Sequence, residues 1–65
     1  QQNQAALSDF NQSIRLDPRL ADAYRNRGIT REMIGDLKGA CADWKIAGAL
    51  GQDGPKQWFA VQCKS

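Results

Sequence analysis

Apolar residues recur at intervals of three and four along most of this chain, which is the spacing of one face of an α-helix. The first such segment contains Ala6, Phe10 and Ile14 and predicts an amphipathic helix over residues 3–16. The same spacing predicts three more helices, over residues 19–34, 36–50 and 54–64. No segment alternates apolar and polar residues convincingly, so the sequence predicts an all-α fold.

Turn-forming residues separate the predicted helices. Asp17 and Pro18 end the first helix, and Pro18 suits the first turn of the second. Gly35 and Asp36 interrupt the pattern before the third helix, for which Asp36 is a good N-cap, and Gly51 is a C-cap candidate at its end. Because these breaks are short, we expect antiparallel helical hairpins.

The second and third predicted helices form a central hairpin, and large and small side chains lie on the faces of these helices that are expected to meet. In its first helix Tyr24 and Gly28 follow helical spacing, with Arg31 following more loosely. The stripe in its second helix consists of Leu37, Ala40, Cys41, Trp44, Ala47 and Gly48. Large residues facing small ones allow two helices to approach closely and interlock.

Length and composition restrict the possibilities further. A chain of 65 residues forms one domain at most and is marginally stable without a covalent staple. Hydrophobic residues make up 42% and charged residues 25%, which is typical of a soluble globular piece. No run of about eighteen apolar residues is present, which argues against a transmembrane helix. The chain begins with QQNQ and not with Met, so we expect a fragment of a longer protein or a processed product.

The first helix is repeated in the third. A shift of 34 residues aligns Ala6 with Ala40, Asp9 with Asp43, Phe10 with Trp44, Ser13 with Ala47 and Leu16 with Leu50. This is the period of the tetratricopeptide repeat (TPR) family. The aromatic, small and turn positions of that family are matched by Ala21, Tyr24, Asn26, Gly28, Gly35, Asp36, Ala40, Trp44 and Ala47, and its closing LDP by Leu16, Asp17 and Pro18. The chain therefore resembles the C-terminal end of a bacterial-type TPR array.

The resemblance implies a division of the chain into three parts. Residues 1–18 resemble the second helix of a partial repeat, residues 19–51 a complete repeat, and residues 52–65 a capping helix that ends the solenoid. Such a cap needs a polar outer side. Here that side would consist of Lys56, Gln57, Gln62, Lys64 and Ser65. In some family members the last helix contributes to the binding surface instead.

One departure from the family pattern is Arg27, which occupies a position where Leu is usual and resembles the NRG variant of bacterial members. We expect Arg27 to reach Asp9 on the preceding helix in a charge-assisted contact. The alternative is a solvated pair that contributes little to stability.

The spacing of the two cysteines predicts a disulfide. In a hairpin that turns near residues 52–54, Cys41 and Cys63 each lie eleven residues from Gln52 and thus at the same height along the paired helices. The alternative is a pair of buried, reduced thiols. A bridge would favour an extracytoplasmic location, and reduced thiols a cytoplasmic one. The bacterial subgroup that the sequence resembles also carries such a pair in its last repeat.

The resemblance to TPR arrays also implies a binding surface, since the first helix of each pair lines a concave groove. The candidate groove residues are Asp22, Arg25, Asn26, Ile29, Glu32 and Met33. Such a groove binds extended peptides or partner helices, which makes a protein-interaction scaffold the first functional hypothesis. Arg25 and Asn26 resemble residues that clamp a C-terminal carboxylate in chaperone adaptors, but Ile29 departs from that pattern.

The second hypothesis is a purely structural end-cap of a longer solenoid, or an element of self-association. The first helix would expose Leu7, Phe10 or Ile14 if the helix on which it normally packs were missing. An apolar surface of this kind would favour association between copies of the chain.

Several kinds of chemistry have no support in the sequence. There is no His for nucleophilic catalysis, no phosphate-binding glycine loop, and no pair of acids that must share a site, so we expect no enzyme, cofactor or metal. The local basic cluster consists of Arg15, Arg19, Arg25, Arg27 and Arg31. Interleaved or nearby acids and the expected burial of Tyr24 argue against a nucleic-acid partner.

Overall fold

The structure is a computed structural model that describes residues 2–63, and these residues form four α-helices and no strand. The helices are α1 (Gln2–Leu16), α2 (Ala21–Met33), α3 (Leu37–Ala49) and α4 (Asp53–Gln62). The predicted all-α hairpin fold is confirmed, and the helix ends within the described residues differ from the predicted ones by at most two residues. The predicted end of the last helix at residue 64 lies outside the described residues.

The turn between α1 and α2 explains the largest of these differences, because α2 begins at Ala21 and not at residue 19. The Asp17 carboxylate accepts a hydrogen bond of 3.1 Å from the Arg19 amide, which holds these residues in a turn. Leu20 is extended, with φ −80° and ψ 91°. The Tyr24 hydroxyl donates to the Pro18 carbonyl at 2.9 Å, so this buried side chain of α2 stabilises the same turn.

Two glycines end α2 and α3 in the left-handed backbone region. Gly35 has φ 88° and Gly51 has φ 107°, values that other residues rarely adopt. In both turns the amides of the glycine and of the following residue donate to carbonyls three and five residues earlier, which is the Schellman arrangement. Asp36 then caps α3 by accepting a 2.9 Å hydrogen bond from the Gly39 amide, as predicted.

The core lies where α2 and α3 meet in the largest helix interface. Trp44 is only 1% exposed, and its indole ring lies directly against Gly28. The other buried residues are Ala23, Tyr24, Thr30, Ala40, Asp43, Ala47 and Pro55. Leu37 is predicted to belong to this stripe but is 42% exposed, because it is the first residue of α3 and lies next to the turn that joins α2 to α3.

The close contact between Gly28 and Trp44 gives a testable prediction. A Cβ atom at Gly28 would lie 2.5 Å from Trp44 Nε1 and 2.7 Å from Cδ1, so Gly28→Ala must displace a ring that is only 1% exposed. We expect the free energy of unfolding to fall by about 2 to 3 kcal/mol in urea denaturation followed by circular dichroism.

Gly54→Ala is the matched control for this substitution. Its Cβ would meet Trp58 at 3.4 Å, an ordinary contact, and alanine favours a helix. We expect its effect to stay within about 0.5 kcal/mol. Equal losses in the two variants would contradict the packing described for Gly28.

The first helix is the least buried of the four. Among its described residues none is buried, and Leu7, Phe10 and Ile14 are half-buried. α1 packs on α2, α2 on α3, and α3 on α4, in chain order. The apolar side of α1 is therefore only partly covered within the chain.

Candidate functional site

A cavity of about 180 Å³ lies between α2 and α4, with α3 forming its base. This α2–α4 cavity is lined by Ile29, Glu32, Trp44, Trp58 and Gln62. The rings of Trp44 and Trp58 meet edge to face, with centroids 5.5 Å apart and planes at 67°. The cavity thus combines aromatic and aliphatic walls with one carboxylate and one amide, a mixture suited to holding a side chain of a partner.

The predicted groove residues at the start of α2 form a polar cluster with the first turn of α4. The Gln52 amide nitrogen donates to the Asp22 carboxylate at 2.8 Å, and its carbonyl oxygen accepts from Arg25 Nη1 at 3.2 Å. Arg25 and Asp22 also form an exposed ion pair of 3.5 Å. Gln52 therefore connects the beginnings of the two helices that border the cavity.

The structure does not bring all six predicted groove residues together. Ile29 and Glu32 line the α2–α4 cavity, whereas Asp22, Arg25 and Asn26 lie near the start of α2. Met33 is 68% exposed at the end of the helix. Arg25 Nε donates to the Asn26 side-chain oxygen at 3.4 Å, so the two residues that resemble a carboxylate clamp already contact each other.

Arg27 does not pair with Asp9, and that prediction is wrong. Its Nη2 and Nε atoms donate to both carboxylate oxygens of Asp43, at 2.6 and 2.9 Å, and its Nη1 donates to the Asn11 side chain at 2.9 Å. Arg27 thus points mainly toward the following helix, α3, and reaches α1 through a neutral amide. Asp9 is exposed on α1.

Asp43 is the centre of this network. It is 1% exposed and accepts a further hydrogen bond of 3.1 Å from Arg31 Nη1. The guanidinium carbon of Arg27 also lies 5.6 Å from the centroid of the Tyr24 ring. The hydrogen bond with Asp43 raises the pKa of Arg27 above its ordinary value, against the opposing effect of desolvation.

These contacts bear on the basic cluster as well. Three of its five arginines, Arg25, Arg27 and Arg31, form ion pairs with Asp22 or Asp43.

Among residues 2–63 no group of three potential metal ligands comes together. Within the same range, no helix has both the length and the apolar character needed to cross a membrane.

A disulfide joins Cys41 on α3 to Cys63 at the end of α4, as the spacing predicted, so the two cysteines are not reduced thiols. Their Cα atoms are 5.8 Å apart. Pro55 is buried near the other end of α4. α4 is therefore held against α3 at both ends, which fixes Trp58 and Gln62 beside the cavity.

Sequence reasoning missed four residues of this region. It assigned Trp58 and Gln62 to a capping helix, Trp44 to the core alone, and Gln52 to a turn. Lys56 and Gln57 are exposed, as a polar outer side requires, whereas Gln62 lines the α2–α4 cavity, and Lys64 and Ser65 lie outside the described residues. The missed signal is the spacing of Trp58 and Gln62 by four residues, about one helical turn, which places both on one face of α4.

Part of the chain is similar to a curated zebrafish (Danio rerio) protein, Tetratricopeptide repeat protein 36. The aligned 46 residues are 48% identical and cover 71% of this chain, but they cover 25% of the relative, so the chain spans about a quarter of its length. No protein-family model and no solved structure gives a significant match. The similarity supports the TPR resemblance, whereas the bacterial grouping stays a prediction.

Proposed function

We propose that the chain is a non-enzymatic protein-interaction module of the tetratricopeptide repeat type, and that it binds a peptide or helix of a partner protein in the α2–α4 cavity. The observation that carries this proposal is the cavity itself, in which the predicted groove residues Ile29 and Glu32 face Trp58 and Gln62. The similarity to a TPR protein supports protein binding in general. The chain's division into a partial repeat, a complete repeat and a last helix belongs to the same proposal.

The shape and polarity of the cavity indicate what it would bind. Its volume of about 180 Å³ is small, so it would accept one apolar side chain and not a whole ligand. Glu32 is exposed at the edge and would pair with a basic group beside that side chain. Toward the start of α2, Arg25 and Asn26 would hydrogen-bond to the partner's backbone, in part by replacing their contacts with Gln52 and with each other.

Substitution of Ile29 tests the proposal. Ile29→Glu places a charge on the apolar wall of the cavity, and we expect at least about a tenfold loss of affinity for the partner. The measurement is affinity capture from a lysate with quantitative mass spectrometry, followed by titration of the captured protein. Proteins that bind this site should be depleted with Ile29→Glu.

Ile46→Glu is the matched control, since Ile46 is 39% exposed on α3 and does not line the α2–α4 cavity. We expect it to retain the same proteins as the unchanged chain. Circular dichroism shows that each variant is folded before capture. If the unchanged chain, Ile29→Glu and Ile46→Glu all retain the same partners, the binding site lies elsewhere and the proposal fails.

A second candidate function is self-association, because α1 has no buried residue among those described and its residues Leu7, Phe10 and Ile14 are only half-buried. In that case α1 would pack against another copy or another helix. Concentration-dependent light scattering distinguishes the two: a chain that stays monomeric at high concentration has no such association.

A further inference from the structure

A second and larger cavity opens between α3 and α4, and the two cavities have only Trp44 in common. It has a volume of about 330 Å³, within the range of sites that hold small ligands or large side chains. This α3–α4 cavity is lined by Trp44, Lys45, Gly48, Ala49, Lys56 and Phe59. On α4 it borders the side that carries Lys56 and Phe59, whereas the α2–α4 cavity borders the side that carries Trp58 and Gln62.

The close approach of the two helices determines the shape of this cavity. A Cβ atom at Gly48 would lie 3.0 Å from the Cα atom of Lys56, so the backbone of α4 rests directly on α3 at this point. Lys45 lies about one turn before Gly48 on α3, and Phe59 lies about one turn after Lys56 on α4. Two lysines from opposite helices therefore flank an apolar depression.

The positive charge of this cavity is not balanced by nearby acids. No carboxylate lines the cavity, and neither Lys45 nor Lys56 pairs with a carboxylate of residues 2–63 within 4.0 Å. Asp53 precedes Lys56 by three residues on α4 but is exposed and not part of the lining. Asp43, the buried acid of α3, is bound to two arginines.

We propose that the α3–α4 cavity is a second docking site, and that it binds an acidic peptide segment of a partner protein. An apolar side chain enters between Phe59 and Ala49, and carboxylates on either side of it pair with Lys45 and Lys56. Charge complementarity selects the acidic peptide. A nucleotide fits less well because Trp44 is 1% exposed and offers no free ring face, which leaves Phe59 as the one aromatic residue of the lining that could stack on a base.

This site does not depend on the proposed function, because its lysines and Phe59 are outside the α2–α4 cavity. Either site can fail its test while the other passes. Different residues report on the two cavities: Trp58 lines only the α2–α4 cavity, whereas Ala49 and Phe59 line only the α3–α4 cavity.

The test is an NMR titration of the ¹⁵N-labelled chain with a capped pentapeptide in which two glutamates flank one phenylalanine on each side. We expect saturable shifts of the Ala49, Lys56 and Phe59 amides, an unchanged Trp58 indole signal, and a dissociation constant in the millimolar range, about 1 mM. The same peptide with glutamine in place of each glutamate should bind about tenfold more weakly, and the affinity should fall as salt rises.

Two variants and one matched control complete the test. Lys45→Glu should weaken binding about fivefold, whereas Lys38→Glu, which makes the same charge change at an exposed position seven residues earlier on α3, should change it less than about twofold. Ala49→Leu fills the cavity without changing charge and should also weaken binding.

Three results would overturn the proposal. The first is the absence of saturable shifts up to about 10 mM peptide, which is far above the expected dissociation constant. The second is an equal effect of Lys38→Glu and Lys45→Glu, which would indicate only general electrostatic attraction. The third is that shifts map to Ile29 and Trp58, or that adenosine monophosphate shifts the Ala49 and Phe59 amides more strongly than the peptide does.

Discussion

Asp43→Asn is expected to lower the free energy of unfolding by about 3 kcal/mol, because the substitution leaves two arginines without the charge that they surround. Asp43 is 1% exposed, and the side chains of Arg27 and Arg31 are 15% and 28% exposed. Asparagine has nearly the same shape, so the loss reports the charge and its hydrogen bonds and not a cavity. Urea unfolding followed by tryptophan fluorescence measures it.

Asp9→Asn is the control for this substitution. Asp9 occupies the corresponding position one repeat earlier, 34 residues before Asp43, but its side chain is exposed. We expect an effect within about 0.5 kcal/mol. If Asp9→Asn were as destabilising as Asp43→Asn, the ion pair of Arg27 with Asp43 would not be the one that stabilises the fold.

The contribution of Arg27 to the ion-pair network around Asp43 should also be insensitive to pH near neutrality. The hydrogen bond with Asp43 raises the pKa of Arg27 above its ordinary value. A group with a raised pKa in the folded state contributes its full stabilisation below its unfolded pKa and loses it only as the pH rises through the folded pKa. Arg27 therefore stays charged across the neutral range, and its contribution does not vary there.

The sequence predicted the fold well because its local signals agree with one another. Helical spacing, Asp36 as a cap, and the glycines at positions 35 and 51 all indicate the same helix ends. The exception is the start of α2, where Asp17 holds Arg19 in a turn through its side chain, a contact that helical spacing does not reveal. The disulfide was predictable because helix length and turn position determine which residues lie at equal height.

The site was only partly predictable. Asp43 lies within the stripe formed by Ala40, Trp44 and Ala47, so its burial could have been read from the pattern, and a buried acid requires a basic partner on the facing helix. The pairing with Asp9 was favoured instead because no sequence pattern shows which neighbouring helix Arg27 faces. Likewise, the rotation of α4 that brings Trp58 beside Ile29 depends on packing and on the disulfide.

Removal of that disulfide is expected to affect stability as strongly as Asp43→Asn does. In the chain-entropy model, a bridge across 22 residues contributes about 3 kcal/mol. The replacement of both cysteines by serine, or reduction of the unchanged chain, should therefore lower the midpoint of thermal unfolding by about 15 °C. The double variant is also the control, since reductant should have no effect on it.

The loss should be concentrated in α4, because this helix packs mainly on α3 and the bridge holds its end. By hydrogen exchange, the α4 amides should become about a hundredfold less protected, and those of α2 and α3 much less affected. Both cavities lose a wall when α4 detaches, because this helix carries Trp58 and Gln62 of one cavity and Lys56 and Phe59 of the other. An unchanged midpoint, or equal loss of protection in every helix, would show that the bridge does not hold α4 in place. The predicted pattern would instead make the disulfide a condition for binding at either site.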